Sequence, residues 1–210
     1  MLRYLTQSEF QTYPKLIDTM FQDRAAQFQN RLGWEVTVDE NGWERDQYDD
    51  EDALYAIWER ADGSHGASMR IRSTLQPVMV NDFFGHISGQ KFRHPLIWES
   101  TRFCLTLRDS EEARRLSTII MLSGCEVGLF FGLDRAVAVF DPRIMRIYRQ
   151  IGWPPLVHGN EGRGRNAIWV GSWDFSEQIR QKLCTKAGLA PELSRYWIER
   201  SMRHHTALAA

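Results

Sequence analysis

The strand and helix patterns of this 210-residue chain predict an α/β (α+β) fold, a three-layer α-β-α sandwich around a mixed, twisted sheet. Two observations lead to this prediction. Strand patterns are interleaved with helix patterns along the chain, and a long helix pattern in the middle is apolar on most of its sides. The chain shows no internal repeat, low-complexity tract or interdomain linker. We therefore treat residues 1–210 as a single domain, long enough to bury a substantial core.

The first half of the chain contains four strand patterns and one amphipathic helix. The helix begins at Ser8, carries an apolar stripe and runs toward Arg24 and Phe28. Asp62-Gly63 is a favourable turn dipeptide between two of the strands. The predicted strands cover residues 1–5, 54–59, 66–72 and 98–103, and a short helical piece lies within residues 76–89.

The second half continues the alternation of helices and strands. Asp109, followed three residues later by Glu112, forms a capping-box pattern and opens the long apolar helix, which ends near Gly132 and should be central. An apolar strand follows, and Pro142 then begins a helix that Gly152 closes. The strands are predicted at residues 135–140 and 166–173, and the last two helices at 176–187 and 192–204.

Composition and charge exclude several classes of protein. The net charge of −1 gives no general attraction to nucleic acid or anionic lipid, and no apolar run reaches the length of a membrane span. The N-terminus lacks a signal-peptide pattern, and the widely spaced Cys104, Cys125 and Cys184 indicate reduced, buried thiols. The six histidines form no cluster with metal-ligand spacing. We therefore expect a cytoplasmic protein with no metal, no nucleic-acid partner and no membrane, and a disordered tail at residues 205–210.

A long irregular segment at residues 30–52 interrupts the regular pattern. Segments of this length inside a domain are usually functional or disordered. Aromatic residues are concentrated in or beside it, at Phe28, Trp34, Trp43 and Tyr48. Their density indicates a lid over a flat or apolar ligand, although each aromatic residue taken singly is more often part of the packing.

Charged residues also occur inside predicted strands, where burial is unfavourable without a partner. Arg70 interrupts the third strand, and Glu99 and Arg102 interrupt the fourth. Residues three apart on a regular strand point to opposite faces, so Glu99 and Arg102 serve one site only if the strand has a bulge or ends in a cleft. With Asp46 and Asp49 from the long segment, these residues would form a compensated network. The alternatives are an edge strand with solvated charges and a structural ion pair between Arg70 and Asp46.

The charged and aromatic positions of the first half form an ordered pattern. It consists of Arg24, Phe28, Leu32-Gly33-Trp34, Glu44-x-Asp46-x-Tyr48-Asp49, Gly66-x-x-x-Arg70, Pro77-x-Met79-x-x-Asp82-x-Phe84 and Trp98-Glu99-x-Thr101-Arg102-Phe103. This pattern resembles the LuxI-type acyl-homoserine-lactone synthases, the autoinducer synthases of bacterial quorum sensing. The second half follows the family more loosely. Arg72-Ser73-Thr74-Leu75 stands where the family commonly has Leu-Pro-Thr-Thr, and Thr101 replaces a more usual Ser.

The resemblance implies a fold similar to the GNAT acyltransferases and an acyl-transfer reaction. Enzymes of this family move an acyl chain from a thioester, carried on acyl carrier protein or coenzyme A, to the α-amine of S-adenosylmethionine. The methionine carboxylate then closes on its γ carbon, and methylthioadenosine leaves. S-adenosylmethionine is therefore a substrate, and no recycled cofactor is expected. Because an ammonium group is not a nucleophile, a base must take its proton.

The same resemblance assigns roles to individual positions. Glu99 matches the catalytic base, Arg70 and Asp46 match the network that holds it, and Arg102 and Asp49 match its other charged members. Residues 24–52 correspond to a mobile segment that covers S-adenosylmethionine. The residues implied for binding this substrate are Arg24, Phe28, Trp34, Phe84, Arg102 and Phe103.

The donor side of the reaction is expected in the second half of the chain. The acyl pocket should lie between the central helix and the strand at 137–140, with Met121, Ala138 and Met145 as lining residues or as ordinary core. Ala138 matches a position where Thr often accompanies 3-oxo products, so we expect an acyl chain without a 3-oxo group. Arginines that could bind an acidic carrier protein or coenzyme A phosphates, or simply form a solvated face, are Arg143, Arg146, Arg149, Arg163 and Arg165.

Two other functions compete with the synthase hypothesis. A GNAT-type N-acyltransferase would need a glycine-containing pyrophosphate loop before the central helix, and residues 107–115 contain no glycine. A non-catalytic sensor of a small apolar ligand would explain the aromatic residues but not a compensated charge network at a strand end.

Overall fold

A seven-stranded sheet forms the middle layer of the computed structural model, which describes residues 1–107, 110–164 and 167–208. The strands are β1 (Leu2–Leu5), β2 (Leu54–Glu59), β3 (His65–Ser73), β4 (Ile97–Leu105), β5 (Arg135–Phe140), β6 (Leu156–Glu161) and β7 (Ile168–Asp174). Their order across the sheet is β1-β2-β3-β4-β5-β7-β6. The β4–β5 pair is parallel and the other neighbouring pairs are antiparallel, so the predicted mixed sheet is confirmed.

Helices cover both faces of this sheet. They are α1 (Pro14–Ala25), α2 (Met79–Phe83), α3 (Gly85–Ser88), α4 (Glu111–Phe130), α5 (Pro142–Ile151), α6 (Glu177–Ala187) and α7 (Pro191–Leu208). One face packs against α1 and the α2–α3 segment, and the other packs against α4 to α7. This is the predicted three-layer sandwich.

Helix α4 is the central helix that its apolar sequence predicts. Leu116, Ile119 and Ile120 are at most 1% exposed and pack against strands β1 to β3. The helix is capped by Ser110, whose hydroxyl accepts a hydrogen bond from the backbone N–H of Ala113 at 3.0 Å. Asp109, the predicted cap, lies outside the described residues.

The N-terminal helix differs in detail from its prediction. Its first part is a 3₁₀ segment (Gln7–Thr12), α1 starts only at Pro14, and the chain continues from α1 into a π-helical turn (Ala26–Arg31). Pro14 explains the restart, because proline is favourable at the first position of an α-helix and cannot extend a preceding one.

Strand β6 was not predicted from the sequence. It lies at the edge of the sheet, and its side chains are mostly exposed, so it lacks the apolar alternation that marks a half-buried strand. Gly159 within it permits the α3 segment to approach closely. A Cβ atom at this position would lie 2.0 Å from the carbonyl oxygen of Ile87.

The sheet opens between its two parallel strands. Strand β4 pairs with β5 only along Ile97 to Glu99, and beyond that point it pairs with β3 alone. The β3–β4 register shifts between Ser68 and Arg70, and Arg102 opposite this shift has a φ of 55°. This bulge is one of the two features, the other being a strand end in a cleft, that would let Glu99 and Arg102 serve one site.

The remaining features concern thiols and the chain end. Cys104, Cys125 and Cys184 are buried and free, as predicted.

In the part of the chain that the structure describes, every helix is too short or too polar to cross a membrane. Helix α7 reaches Leu208, so the tail predicted to be disordered is helical up to that residue, and residues 209–210 lie outside the described residues. Arg165 also lies outside them.

Candidate active site

Six charged side chains from α1, the 32–53 segment, β3 and β4 meet on one face of the sheet. We call this set the charge network: Arg24, Glu44, Asp46, Asp49, Arg70 and Arg102. Arg24 is 1% exposed, and its guanidinium donates to Glu44 at 2.7 Å and to both oxygens of Asp49 at 2.9 and 2.8 Å. A buried cation is tolerated because the two carboxylates compensate it.

Arg70 joins the same acids from the neighbouring strand. It makes a two-pronged contact with Asp46 at 2.5 and 3.0 Å, lies 2.9 Å from Asp49, and donates to the Thr101 hydroxyl at 3.1 Å. The ion pair between Arg70 and Asp46 expected from the sequence is therefore present. It is part of a larger cluster and not an isolated pair.

Glu44 is the member of the network that we had not assigned to the site. It is 0% exposed and bridges two cations, since it also accepts hydrogen bonds from Arg102 at 2.8 and 3.1 Å. Arg102 in turn lies 2.7 Å from Asp46. In the sequence Glu44 is one acid in an acid-rich segment. Its place in the ordered family pattern, two residues before Asp46, was the available signal.

The network holds the Asp49 carboxyl in the ionised form. Burial opposes ionisation of Asp49, but the Arg24 and Arg70 guanidinium groups hold the pKa of that carboxyl well below its usual range. The Tyr55 hydroxyl also donates to Asp49 at 2.7 Å. A carboxylate with such a low pKa is a weak base and is suited to a positioning role.

Glu99 is in a different environment on the same face of the sheet. It is 1% exposed and makes no ion pair with any described residue. Its two oxygens accept hydrogen bonds from the backbone N–H groups of Met79 (3.1 Å) and Val80 (2.6 Å). Burial raises the pKa of Glu99 to about 7, although these hydrogen bonds and the Arg70 charge oppose the shift. It is therefore a carboxyl group that can take or release a proton near neutral pH.

The expected contact between Glu99 and the arginine network is indirect. Arg70 and Asp46 hold each other, while α2 supplies the groups that hold Glu99. The sequence had placed 79 and 80 in a short helical piece but gave no sign that their N–H groups face a carboxylate. Almost every residue type carries a backbone N–H group, so the sequence does not indicate which of these groups contact a carboxylate.

A cavity of about 240 Å³ lies at the opening between β4 and β5. Residues from both sides of the sheet line it, among them the strand neighbours Trp98 and Ser100 of Glu99 and its hydrogen-bond partner Met79. The lining is mostly apolar. Seven of the residues that line the cavity were predicted from the sequence as site residues: Phe28, Trp34, Arg102, Phe103, Met121, Ala138 and Arg143.

Two predicted pocket residues lie elsewhere. Met145 is buried and also borders a separate depression beside α5, while Ile144, Ile147 and Tyr148 line the cavity. It packs in one core cluster with Ala138 and Tyr148, which is the ordinary-core role that the sequence left open. Phe84 does not line the cavity either, and it packs against Val80 and its neighbours instead.

Three of the four aromatic residues in or beside the long segment take part in ring stacks. Phe28 and Trp34 stack with ring centroids 5.1 Å apart, and the Arg102 guanidinium lies 5.3 Å from the Phe28 ring. Trp34 is 40% exposed at the cavity rim. Trp43 instead stacks on Phe21 of α1 and belongs to the packing.

The three arginines of α5 differ in their partners. Arg143 is paired with Asp141, the residue that caps the helix. Arg146 and Arg149 form no ion pair with the described residues, and both are exposed beside the depression that also includes Trp169.

The mixed sheet that opens between its two parallel strands, with helices on both faces, is similar to an acyltransferase fold. Solved structures support the fold: a putative N-acetyltransferase from Lactobacillus plantarum covers 83% of this chain with a TM-score of 0.52 at 13% identity, and 99% of that chain is covered. The autoinducer synthase family model matches residues 8–183. This chain belongs to the autoinducer synthase family.

Individual relatives agree with this assignment. An acyl-homoserine-lactone synthase of Rhizobium etli is 35% identical over 181 residues, which is 84% of this chain and 85% of that protein. One from Agrobacterium fabrum is 30% identical over 162 residues, 73% and 76% of the two chains. A solved CoA-dependent acyl-homoserine lactone synthase, BjaI, with SAM and isopentyl-CoA, has a TM-score of 0.79 at 23% identity and covers 90% of both chains. The family predicted from the sequence is confirmed.

Proposed function

We propose that this chain is an acyl-homoserine-lactone synthase that transfers an acyl group from a thioester to the amine of S-adenosylmethionine and releases methylthioadenosine. The observation that carries the proposal is Glu99, a buried carboxyl beside the cavity whose pKa is raised to about 7. The family membership supports it, and the solved relative with SAM and isopentyl-CoA supports the choice of substrates.

Glu99 has the properties that the first step demands. The α-amine attacks the thioester carbonyl only as a neutral amine, so its proton must pass to a base, directly or through one water molecule. The new C–N bond forms, the C–S bond breaks, and the carrier leaves as a thiol. The N–H groups of Met79 and Val80 fix both oxygens of Glu99, which keeps the base in one position.

The second step needs no nucleophile from the protein. The carboxylate of the methionine part attacks its own γ carbon, the C–S bond of the sulfonium breaks, and methylthioadenosine leaves. The enzyme has only to hold the chain in a folded-back conformation, a task for the residues around the substrate.

We assign the residues of the charge network two kinds of role: some contact S-adenosylmethionine, and others hold those contact residues in position. All the guanidinium nitrogens of Arg24 are engaged by Glu44 and Asp49, so we assign Arg24 a positioning role. Arg102 and the Phe28–Trp34 stack border the cavity and are assigned to substrate contact, together with Phe103. The segment 24–52 would cover this substrate.

The acyl chain is assigned to the cavity between α4 and β5, with Met121 and Ala138 in its lining. Ala138 offers no hydroxyl, which supports an acyl group without a 3-oxo function. Arg146 and Arg149 are assigned to the acidic or phosphate-bearing carrier. The reaction requires no recycled cofactor, and the three free, buried thiols fit the reducing cytoplasm.

The proposal is tested by incubating the protein with S-adenosylmethionine and a panel of acyl thioesters, on both coenzyme A and acyl carrier protein. Release of methylthioadenosine in proportion to acyl-homoserine lactone is the expected result. The absence of both products with every donor would refute the proposal.

A further inference from the structure

The cavity is apolar except for a few groups, and its hydroxyls differ in their partners. Among the described residues that line it, three carry a hydroxyl: Ser100, Thr101 and Tyr148. The Thr101 hydroxyl accepts a hydrogen bond from Arg70 at 3.1 Å, and the Ser100 hydroxyl donates to the sulfur of Met69 at 2.9 Å. The Tyr148 hydroxyl makes no hydrogen bond with any described residue.

Tyr148 is 5% exposed, and because its unpaired hydroxyl oxygen is not among the fully buried atoms, that oxygen reaches open space at the cavity. Buried polar groups in folded proteins nearly always have a hydrogen-bond partner. The nearby indole N–H groups follow this rule, since Trp153 donates to the carbonyl of Asp174 at 3.2 Å and Trp173 donates to the carbonyl of Trp153 at 3.0 Å. The Tyr148 hydroxyl differs from these buried N–H groups, because it lies at the cavity and has no partner among the described residues.

The Tyr148 ring is held firmly in this position. It makes edge-to-face contacts with Phe140, at 5.4 Å between centroids, and with Trp173, at 5.0 Å. Burial raises the pKa of the phenol, so it stays protonated at neutral pH and keeps its donor. A rigid, protonated and unpartnered hydroxyl in an acyl-binding cavity is suited to recognising a polar group on the acyl chain.

We propose that Tyr148 selects acyl groups that carry a hydroxyl, by forming a hydrogen bond with that hydroxyl inside the cavity. This inference rests on the proposed function. A phenol donates and accepts, and a substrate hydroxyl does both as well, whereas a ketone only accepts. The strand side of the cavity offers no hydroxyl at Ala138, so the helix side supplies this contact. The hydroxyl could stand on the third carbon of a fatty acyl chain or on the ring of an aryl acyl group.

The test compares matched pairs of thioesters with the wild type, Tyr148→Phe and the control Tyr196→Phe, whose ring is 48% exposed on α7. One pair is a fatty acyl thioester with and without a 3-hydroxyl, and the other is 4-hydroxycinnamoyl against cinnamoyl thioester. The wild type should prefer the hydroxylated member of at least one pair. Tyr148→Phe should lower that ratio of kcat/KM about tenfold or more, and Tyr196→Phe should leave it unchanged.

Three outcomes would overturn the inference. The first is a wild type that releases methylthioadenosine equally with both members of each pair. The second is an equal loss by Tyr148→Phe on plain and hydroxylated donors, which would mean that the phenol contacts the shared carrier arm. The third is a 3-oxo donor that is preferred and depends most on Tyr148. Absence of product from every donor would instead defeat the proposed function itself.

Discussion

The Glu99 carboxylate accepts a 2.6 Å hydrogen bond from the backbone N–H of Val80, in the first turn of α2. This contact links strand β4, in the middle of the sheet, to a helix that holds Glu99 through its backbone and not through a side chain. The carboxyl group is fixed without a neighbouring cation in hydrogen-bond contact, and burial keeps its pKa near 7. Glu99 is thus held by backbone N–H groups, whereas the carboxylates of the charge network are paired with arginines, although all lie on the same face of the sheet.

The first prediction concerns turnover. Glu99→Gln keeps the shape of the side chain but removes the base, so we expect kcat to fall about 100-fold or more, the usual contribution of a general base. In the wild type, activity should rise with pH through about 7 as Glu99 loses its proton, and this limb should be absent from the variant. Initial rates of methylthioadenosine release from pH 5.5 to 8.5 measure both. The exposed Glu51→Gln is the control, and unimpaired turnover by Glu99→Gln would remove Glu99 from the base role.

The second prediction concerns stability. The folded-state pKa of Glu99, about 7, lies above the ordinary value of 4.5, so between these pH values the folded protein holds a proton that the unfolded chain releases. The contribution of Glu99 to the free energy of unfolding therefore falls as pH rises, by on the order of 3 kcal/mol.

The amide introduced by Glu99→Gln does not titrate. The free energy of unfolding of this variant, relative to that of the wild type, should therefore increase as the pH is raised from 5 to 8. Denaturant unfolding at the two pH values measures this difference. The low pKa of Asp49 acts in the opposite direction, with stability lost as pH falls, but it is present in both proteins and cancels. An equal difference between the two proteins at both pH values would contradict the raised pKa.

Local sequence patterns were sufficient for the architecture but not for all of the site. Strands β2 to β5 and helix α4 were predictable because each is marked by its own apolar period. The spacing of Glu99 and Arg102 predicts either a bulge in β4 or a strand end in a cleft if both serve one site, and the structure has the bulge. Strand β6 could not be found because an exposed edge strand has little apolar pattern.

The points that the sequence left open within the site have a common physical origin. Glu44 stands in the family pattern, but the sequence gives it no role because solvated acids are common in loops. Only the fold shows that it is buried between Arg24 and Arg102. Met145 belongs to the core cluster beside the cavity, and sequence alone could not decide between the lining and core roles because it does not fix which helix side chains reach a cavity.

The third prediction follows from the position of Glu44. Glu44→Gln removes the carboxylate shared by two buried guanidinium groups, so we expect a loss of about 3–5 kcal/mol in the free energy of unfolding, the usual range for removing one partner of a buried ion pair. Denaturant unfolding measures it. Glu40→Gln, in the same segment but exposed, is the matched control. A loss no greater than that of the control would show that the bridge does not stabilise the fold.

The fourth prediction separates two tryptophans of the long segment. Trp34→Ala should raise the KM for S-adenosylmethionine about tenfold by removing the stack on Phe28, with a stability change below about 1 kcal/mol because the ring is 40% exposed. Trp43→Ala should show the reverse, lower stability and an unchanged KM, because it packs on Phe21 and donates to Asp18 at 2.8 Å. Steady-state kinetics and thermal unfolding of both variants measure this. Equal effects of the two substitutions on KM would contradict the assignment.

The fifth prediction concerns the carrier. Arg146 and Arg149 have no ion-pair partner among the described residues, whereas Arg143 is paired with Asp141, so its charge is already compensated. Replacing Arg146 or Arg149 with Ala should lower kcat/KM for an acyl carrier protein donor several-fold, while Arg143→Ala should have a smaller effect.

Salt provides an independent test of the same surface. Exposed charges are screened as ionic strength rises, so kcat/KM of the wild type with carrier protein should fall between about 0.05 and 0.5 M salt. The Arg146→Ala and Arg149→Ala proteins should show a shallower fall, because one of the attracting charges has been removed. Arg203→Ala, on α7 away from this surface and paired with Glu199, is the control and should retain the wild-type slope. A wild-type rate that does not respond to salt would rule out electrostatic steering of the donor by α5.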